Sequence, residues 1–275
     1  LVVKFLGRTE GMNTKLEAMK KAIARLPLVD KVTFSGAVPG EEVATFLSNR
    51  RKSDALKQNR LYEMLVCDPD YIDAYGLQLV AGRGFSEDYG DDVNKLVVNE
   101  SAVRNLGIAS NEEALGEEIE VECTDAPMQI IGVVKDYHQQ ALNKNYTPIM
   151  LIHKDKIGWL PQRYISIVMK SGDPKELVSQ VEEIWHRYFE DSSYDFFFLD
   201  QFFDHQYRQD EVFGVMIGCF TGLAIFISCL GLWVLVMFSC TTRTKEMGIR
   251  KVLGATRWNL FYQLGKGFFQ LILIA

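Results

Sequence analysis

Side chains able to do chemistry are plentiful in this chain, and their spacing gathers few of them into a reactive group. Glu87, Asp88, Asp91 and Asp92 place four carboxylates in one short run. A calcium loop needs oxygen donors at alternate positions, a glycine for the turn and a distal bidentate glutamate, and this run lacks that order. A solvated acidic turn is the reading it supports. His138, His153, His186 and His205 are scattered, without the H-E-x-x-H spacing that sets two imidazoles on one helix face. No G-x-S-x-G elbow presents a serine nucleophile, and no GxxxxGK[ST] loop offers amides and a lysine to a nucleotide. The expectation is a chain with no catalytic residue, no metal site and no cofactor of its own. Of the five cysteines, Cys219, Cys229 and Cys240 lie in an apolar run. Cys67 and Cys123 fall in expected strands, and their spacing sets up no disulfide framework.

One segment does carry a signal in its spacing. Residues 241–256, TTRTKEMGIRKVLGAT, hold Arg243, Lys245, Arg250 and Lys251, with Arg257 just beyond, against the single acid Glu246. Ile249, Val252 and Leu253 recur at i, i+3 and i+4, which predicts a short amphipathic helix that Gly254 ends. Such a helix suits docking into a groove on a cytoplasmic partner or contact with anionic lipid. A basic flank that only fixes topology is the competing reading.

The position of this segment gives it weight. Residues 212–240 carry no charged side chain, and about 29 residues at 1.5 Å each make a helix of ~43 Å, longer than a bilayer core requires. The basic loop after it belongs on the cytoplasmic side, so residues 1–210 are expected outside. Residues 259–275 turn apolar again and are expected to begin a second spanning helix. The chain begins at Leu1 rather than Met, and a preceding spanning helix is expected to carry residues 1–210 across. Gly214, Gly218 and Gly222 form a small-xxx-small series that lets another membrane helix approach closely.

The net charge of −6 conceals an acidic outer part and a basic loop, which argues against nucleic acid as a partner. Two outer segments share one order. Residues 2–6 predict a strand, 13–26 a helix with Leu16, Met19, Ile23 and Leu26 on one face, and 31–35 a strand. Residues 164–169 predict a strand, 173–189 a helix with Asp173 as N-cap and Pro174 at its first position, and 196–199 a strand. These halves could share one sheet with both helices on one face. Between them lie further strands at 61–67, 96–99, 117–122 and 128–134 and a helix at 100–106 ended by Gly107, while 41–59 reads as a polar loop. Past Asp200 the chain takes helical spacing, a stalk into the spanning helix.

RTKEMGIRKVLGAT (243–256) resembles the signature after the second spanning helix of MacB/FtsX-like ABC transporter permeases. AGRGF (81–85), VVNESAVRNLG (97–107), ALGEEIE (114–120) and IIGVVKDYH (130–138) resemble, in order, the MacB-like extracytoplasmic core domain. The resemblance implies an α+β outer domain: a porter-like subdomain from residues 1–40 and 160–200, with an inserted strand-rich sabre-like subdomain at 41–159. It implies a stalk and transmembrane helix at 201–240, a cytoplasmic coupling loop at 241–258 and a further transmembrane helix from 259. Lys245, Glu246, Met247, Ile249, Arg250 and Leu253 would be the coupling contacts to a cytoplasmic ABC ATPase, which binds ATP and magnesium itself. Asp136, Tyr137 and His138 would hold a strand end and turn.

The expected function is that of a non-catalytic permease subunit in the inner membrane. It would transmit ATP-driven motion to the outer side for export or extraction, in a dimer with a second permease copy or a paralogue. The alternative is an FtsX-like regulator whose outer domain switches an extracytoplasmic partner such as a cell-wall hydrolase. A tethered outer enzyme would need a catalytic constellation that the sequence does not offer.

Overall fold

The structure is a computed structural model that describes residues 1–5, 12–54, 58–89, 92–140, 144–157, 160, 162–190, 192–254, 256 and 258; for residues 12, 13 and 205–211 the backbone alone is described. The chain falls into two compact units, Leu1–Gln206 and Tyr207–Ala275.

In the first unit, β1 (Val2–Lys4) lies between β10 (Tyr164–Met169) and β11 (Asp195–Phe197), antiparallel to both. On its other side β10 pairs with β2 (Val29–Ser35). The helices α1 (Met12–Ala24) and α4 (Pro174–Tyr188) pack on these strands in one core that joins Leu16, Met19 and Ile23 to Val181 and Trp185. α4 begins as its sequence requires. Asp173 accepts a hydrogen bond from the Lys175 amide at 2.9 Å, and Pro174 takes a position whose amide would have no helical partner.

The middle of the unit is a closed ring of six strands. β3 (Phe46–Arg51) pairs with β4 (Arg60–Cys67) and with β7 (Glu118–Val121). β8 (Met128–Val134) joins β7 to β6 (Lys95–Asn99), and β9 (Ile149–His153) joins β6 back to β4. All six strands feed one core, which takes Leu47, Tyr62, Leu96, Ile119, Ile130 and Met150. The opposite faces of β4, β6 and β9 are covered as well, Leu65, Val97 and Leu151 packing with Tyr71 of α2 (Tyr71–Ala74) and with Phe85. Burial on both faces explains why these strands read as apolar runs rather than alternating ones. β5 (Leu79–Gly82) adds to β8 outside the ring. At their contact Gly132 is required, since a Cβ there would lie 2.0 Å from the Arg83 carbonyl oxygen.

Two expectations need correction. Residues 41–59 are not simply a polar loop, because they contain β3. Its arginines make cross-strand pairs, Arg50 Nε with Glu120 at 2.6 Å and Arg51 Nη2 with Glu117 at 2.9 Å, while Leu47 and Asn49 are buried. Cys123 lies in a turn after β7 with φ 69, not in a strand. Both Cys67 and Cys123 are free thiols, and Cys67 is buried.

The helix α3 (Glu100–Asn105) is fixed by Asn99 at its N-cap. The Asn99 Oδ1 accepts from the amides of Ala102 and Ile149, both at 2.9 Å, and its Nδ2 donates to the Thr147 carbonyl at 2.8 Å. One amide side chain thus closes a helix end and the entry to β9 together. Asn99→Ala leaves three backbone groups without partners, two of them amides in the interior, and should cost about 3 kcal/mol. Urea unfolding with an unchanged midpoint would contradict this hub role.

Candidate functional site

The described residues of the second unit are mostly helical. α5 (Leu199–Thr242) continues into it from the first unit, and an 18-residue stretch within Val212–Thr242 reaches a mean hydropathy of 2.4. Length and composition suit a bilayer crossing. Its hydroxyls are satisfied inside the helix, as hydrocarbon demands: Thr221 Oγ1 donates to the Ile217 carbonyl and Ser228 Oγ to the Ala224 carbonyl, each at 2.8 Å. Gly214, Gly218 and Gly222 share this segment, and a Cβ at any of them would meet no atom within 4 Å, so the stripe is open. The expected second spanning segment at 259–275 and Arg257 lie outside the described residues.

At Arg243 the helix breaks, and α6 (Thr244–Val252) follows, with Leu253 as its C-cap and Gly254 beyond at φ 91. A helix of nine residues is too short to persist on propensity alone. Glu246 sits in the first turn and Arg250 and Lys251 in the last, each complementing the helix dipole. Glu246 and Arg250 also pair at 2.5 Å across one turn. Of the residues assigned to coupling, Lys245, Glu246, Met247, Ile249 and Arg250 lie on α6 and Leu253 caps it. Ile249, Val252 and Leu253 are 63%, 89% and 81% exposed, a contiguous apolar strip ringed by cations. This arrangement can bind and can be pushed.

The other candidates have structural work. Asp92 is not part of a solvated turn: it is buried, and its carboxylate accepts from Arg83 at 2.6 and 2.7 Å and from the Ser86 amide at 2.8 Å. Arg83 also lies over the Tyr89 ring at 4.0 Å. The sequence hid this clasp, since Glu87 and Asp88 beside it carry the same charge. Asp91 lies outside the described residues, as does the side chain of His205. Asp136 accepts from the Ser101 amide at 2.8 Å, from Ser101 Oγ at 2.9 Å and from Arg104 at 2.5 Å, which ties the end of β8 to the first turn of α3. Tyr137 is half-buried in the core beside Tyr71, and His138 stacks on Tyr146 at 4.6 Å. His153 is buried, and that burial lowers its pKa. His186 sits in the last turn of α4. Among the described residues, no three His, Cys, Asp or Glu side chains could share a metal ion.

Comparison with known proteins agrees with the two-part layout. The model of the MacB-like periplasmic core domain matches residues 7–184, and that of the FtsX-like permease C-terminal matches residues 218–275. The chain is 22% identical over 216 residues to the ABC transporter permease YvrN of Bacillus subtilis, covering 71% of this chain and 50% of that protein. It is 26% identical over 206 residues to the macrolide export ATP-binding/permease protein MacB of Aggregatibacter actinomycetemcomitans, covering 70% of this chain and 30% of that one. The chain therefore spans half or less of the length of these relatives. Among solved structures, the extracellular domain of the transporter YknZ from Gram-positive bacteria aligns with a TM-score of 0.47 at 14% identity, over 68% of this chain and 94% of that domain.

The Arg83–Asp92 clasp predicts a pH signature. Its hydrogen bonds from Arg83 hold the Asp92 carboxyl below the usual carboxylate range. A depressed folded-state pKa stabilises above the unfolded value of about 3.9 and loses that stabilisation as pH falls through the folded value. The melting-temperature gap between the parent and Arg83→Gln should be full above about pH 5 and close on further acidification. A gap constant down to the acid limit would assign the effect to the Tyr89 stack instead.

Proposed function

Because this chain belongs to the MacB-like periplasmic core domain family and carries an FtsX-like permease segment, a membrane protein of the ABC transporter permease class with an extracytoplasmic part, we propose that it transmits ATP-driven motion across the membrane. The observation that carries this reading is α6, a basic helix with an exposed apolar strip directly after the spanning segment. A cytoplasmic ATPase binds ATP and magnesium, and its surface engages Ile249 and Leu253 with Lys245, Glu246, Met247 and Arg250 around them. The ATPase need only prefer one arrangement of α6 over another to do work on the protein. α5 runs unbroken over Leu199–Thr242, and a continuous helix passes displacement along its axis.

In this reading residues 1–210 stand outside the inner membrane. The four-strand sheet with α1 and α4 is the porter-like part, and the closed ring is the inserted sabre-like part. The open Gly214, Gly218 and Gly222 stripe takes a helix of a second permease copy or a paralogue. The absence of ionisable side chains other than weakly acidic thiols from 212–240 keeps the substrate on the outer side, since solute and proton routes through membranes use such groups. Export or extraction is the favoured outcome. The regulator alternative rests on the FtsX-like match at 218–275 and uses the same coupling. Co-purification from native membranes separates the two: small-molecule, peptide or lipoprotein cargo supports export, and a stoichiometric hydrolase supports regulation.

Orientation is tested by labelling. A cysteine introduced at Ser171 should react with an impermeant thiol reagent in intact cells, and one at Lys251 should not; the reverse pattern overturns the coupling assignment. Coupling is tested by Leu253→Asp in reconstituted membranes with the cognate ATPase. A carboxylate forced into an apolar groove costs several kcal/mol, and about 2.7 kcal/mol already corresponds to a hundredfold weaker association. Lys245→Gln, a rim change, should weaken docking far less. Unchanged affinity and unchanged ATPase stimulation in Leu253→Asp would reduce the loop to a topology flank.

A further inference from the structure

Motion along α5 must enter the outer domain somewhere; Leu199 at its start packs with Val2, Val38 and Tyr164, and its next two aromatic rings make two further contacts. Phe202 faces Phe197 of β11 with ring centroids 5.5 Å apart. Phe203 lies against Gly40, where a Cβ would come within 2.5 Å of Phe203 Cε1 and 3.3 Å of Phe202 Cε1. Gly40 has φ +91, so the loop of residues 36–45 offers bare backbone to the two rings in a conformation that disfavours any side chain.

That loop is the link between β2, in the four-strand sheet, and β3, in the ring. It is held firmly on its far side. The Gln139 Nε2 donates to the Val38 carbonyl at 2.8 Å and to the Glu41 carbonyl at 3.1 Å, and Gln139 is itself buried. The Tyr164 hydroxyl donates to Glu41 at 2.7 Å, and Val38 is buried with Val2 and Tyr164. Gln139 belongs to the connection from β8 to β9, both ring strands. A displaced Phe203 therefore meets the backbone at Gly40, and the loop is bonded to Gln139 of the β8–β9 connection at Val38, two residues before Gly40, and at Glu41, the residue after it.

The competing route runs through the sheet. It would pass from β11, a three-residue edge strand, across β1, β10 and β2, and reach the ring at the register pair Ser35↔Cys67 and the flanking hydrogen bonds from the Gly36 amide to the Val66 carbonyl and from the Asp68 amide to the Phe34 carbonyl. The loop route is the shorter of the two: it crosses no intervening strand and ends on hydrogen bonds from the buried Gln139. Packed contacts of this kind resist continuous deformation and pass displacement on.

We propose that the 36–45 loop is the joint through which displacement of the first turn of α5 reaches the six-stranded ring, with Phe203 and Gly40 as the driving contact and Gln139 as the receiving one. This rests on the mechanical function proposed above. Coupling along such a path has to be measured, since adjacency alone does not establish it.

Gly40→Ala would add backbone strain at a positive φ, so Phe203 is the side to change. The test is hydrogen-exchange mass spectrometry on the membrane-embedded permease with its ATPase, comparing the nucleotide-free state with one trapped by ATP and vanadate. In the parent, amides of residues 36–45 and 135–140 should differ in deuterium uptake between the two states. Phe203→Ala should lose that difference in both segments while keeping one cooperative melting transition, and Phe203→Leu should retain at least half of it. Phe196→Ala, which removes a neighbouring exposed ring away from Gly40, should behave as the parent. If Phe203→Ala keeps the full parental difference, the joint lies elsewhere and the mechanical function stands. If the parent shows no nucleotide-linked difference anywhere in residues 1–206, the mechanical function falls and the joint with it.

Discussion

A carboxylate with no exposed surface, Asp68, sits where β4 parts from β2, and the junction of the two sheets depends on it. A buried charge is tolerable only when it is paired and hydrogen-bonded. Asp68 accepts from Thr33 Oγ1 at 2.5 Å, from the Phe34 amide at 3.0 Å and from Lys20 Nζ at 2.5 Å. Burial pulls against the Lys20 ammonium, and the carboxylates of Asp68 and Asp70 outweigh it, so its pKa stands above the ordinary lysine value. Lys20 comes from α1, and Thr33 and Phe34 come from β2. One side chain thereby fixes helix, sheet and ring at the place where only one register pair, Ser35↔Cys67, joins the strands. Glu17 and Lys154 form a second ion pair from α1 to the ring, beside the end of β9.

The elements legible in the sequence are those whose ends are written in local chemistry. Asp173 and Pro174 announce α4, Asn99 and Gly107 bracket α3, and an uncharged run marks the membrane segment. Each depends on groups a few residues apart. What escaped depends on distant partners. β9, IMLIH, is buried along its whole length and so carries no period. β3 looks like a loop until the charges of β7 stand opposite its arginines. Closure of the ring itself is invisible to any local pattern, because β4 and β9 meet only in space.

The candidate site follows the same division. The strip of Ile249, Val252 and Leu253 was plain from spacing, because a short helix writes its faces at i, i+3 and i+4. Asp92 was hidden, because a carboxylate clasped by Arg83 and one in water are the same letter. The contact of Phe203 with Gly40 left only a glycine as its trace, and a glycine in a loop has many reasons to be there.

The ring also sets an order of events during synthesis. β4 finds its parallel partner only when Ile149 and the residues after it have been made, since Glu63 pairs with Ile149. β1 waits longer, for Val2 pairs with Ser166 and then with Phe197. Until those late strands arrive, β4 and β6 present apolar edges to the surroundings, the state in which unpaired strands find wrong partners. Pairings so remote in sequence fold slowly. A nascent chain of this protein is therefore most exposed just before the segment from Ile149 to Phe197 emerges, and factors that hold unpaired strand edges would matter to it more than its folded form indicates.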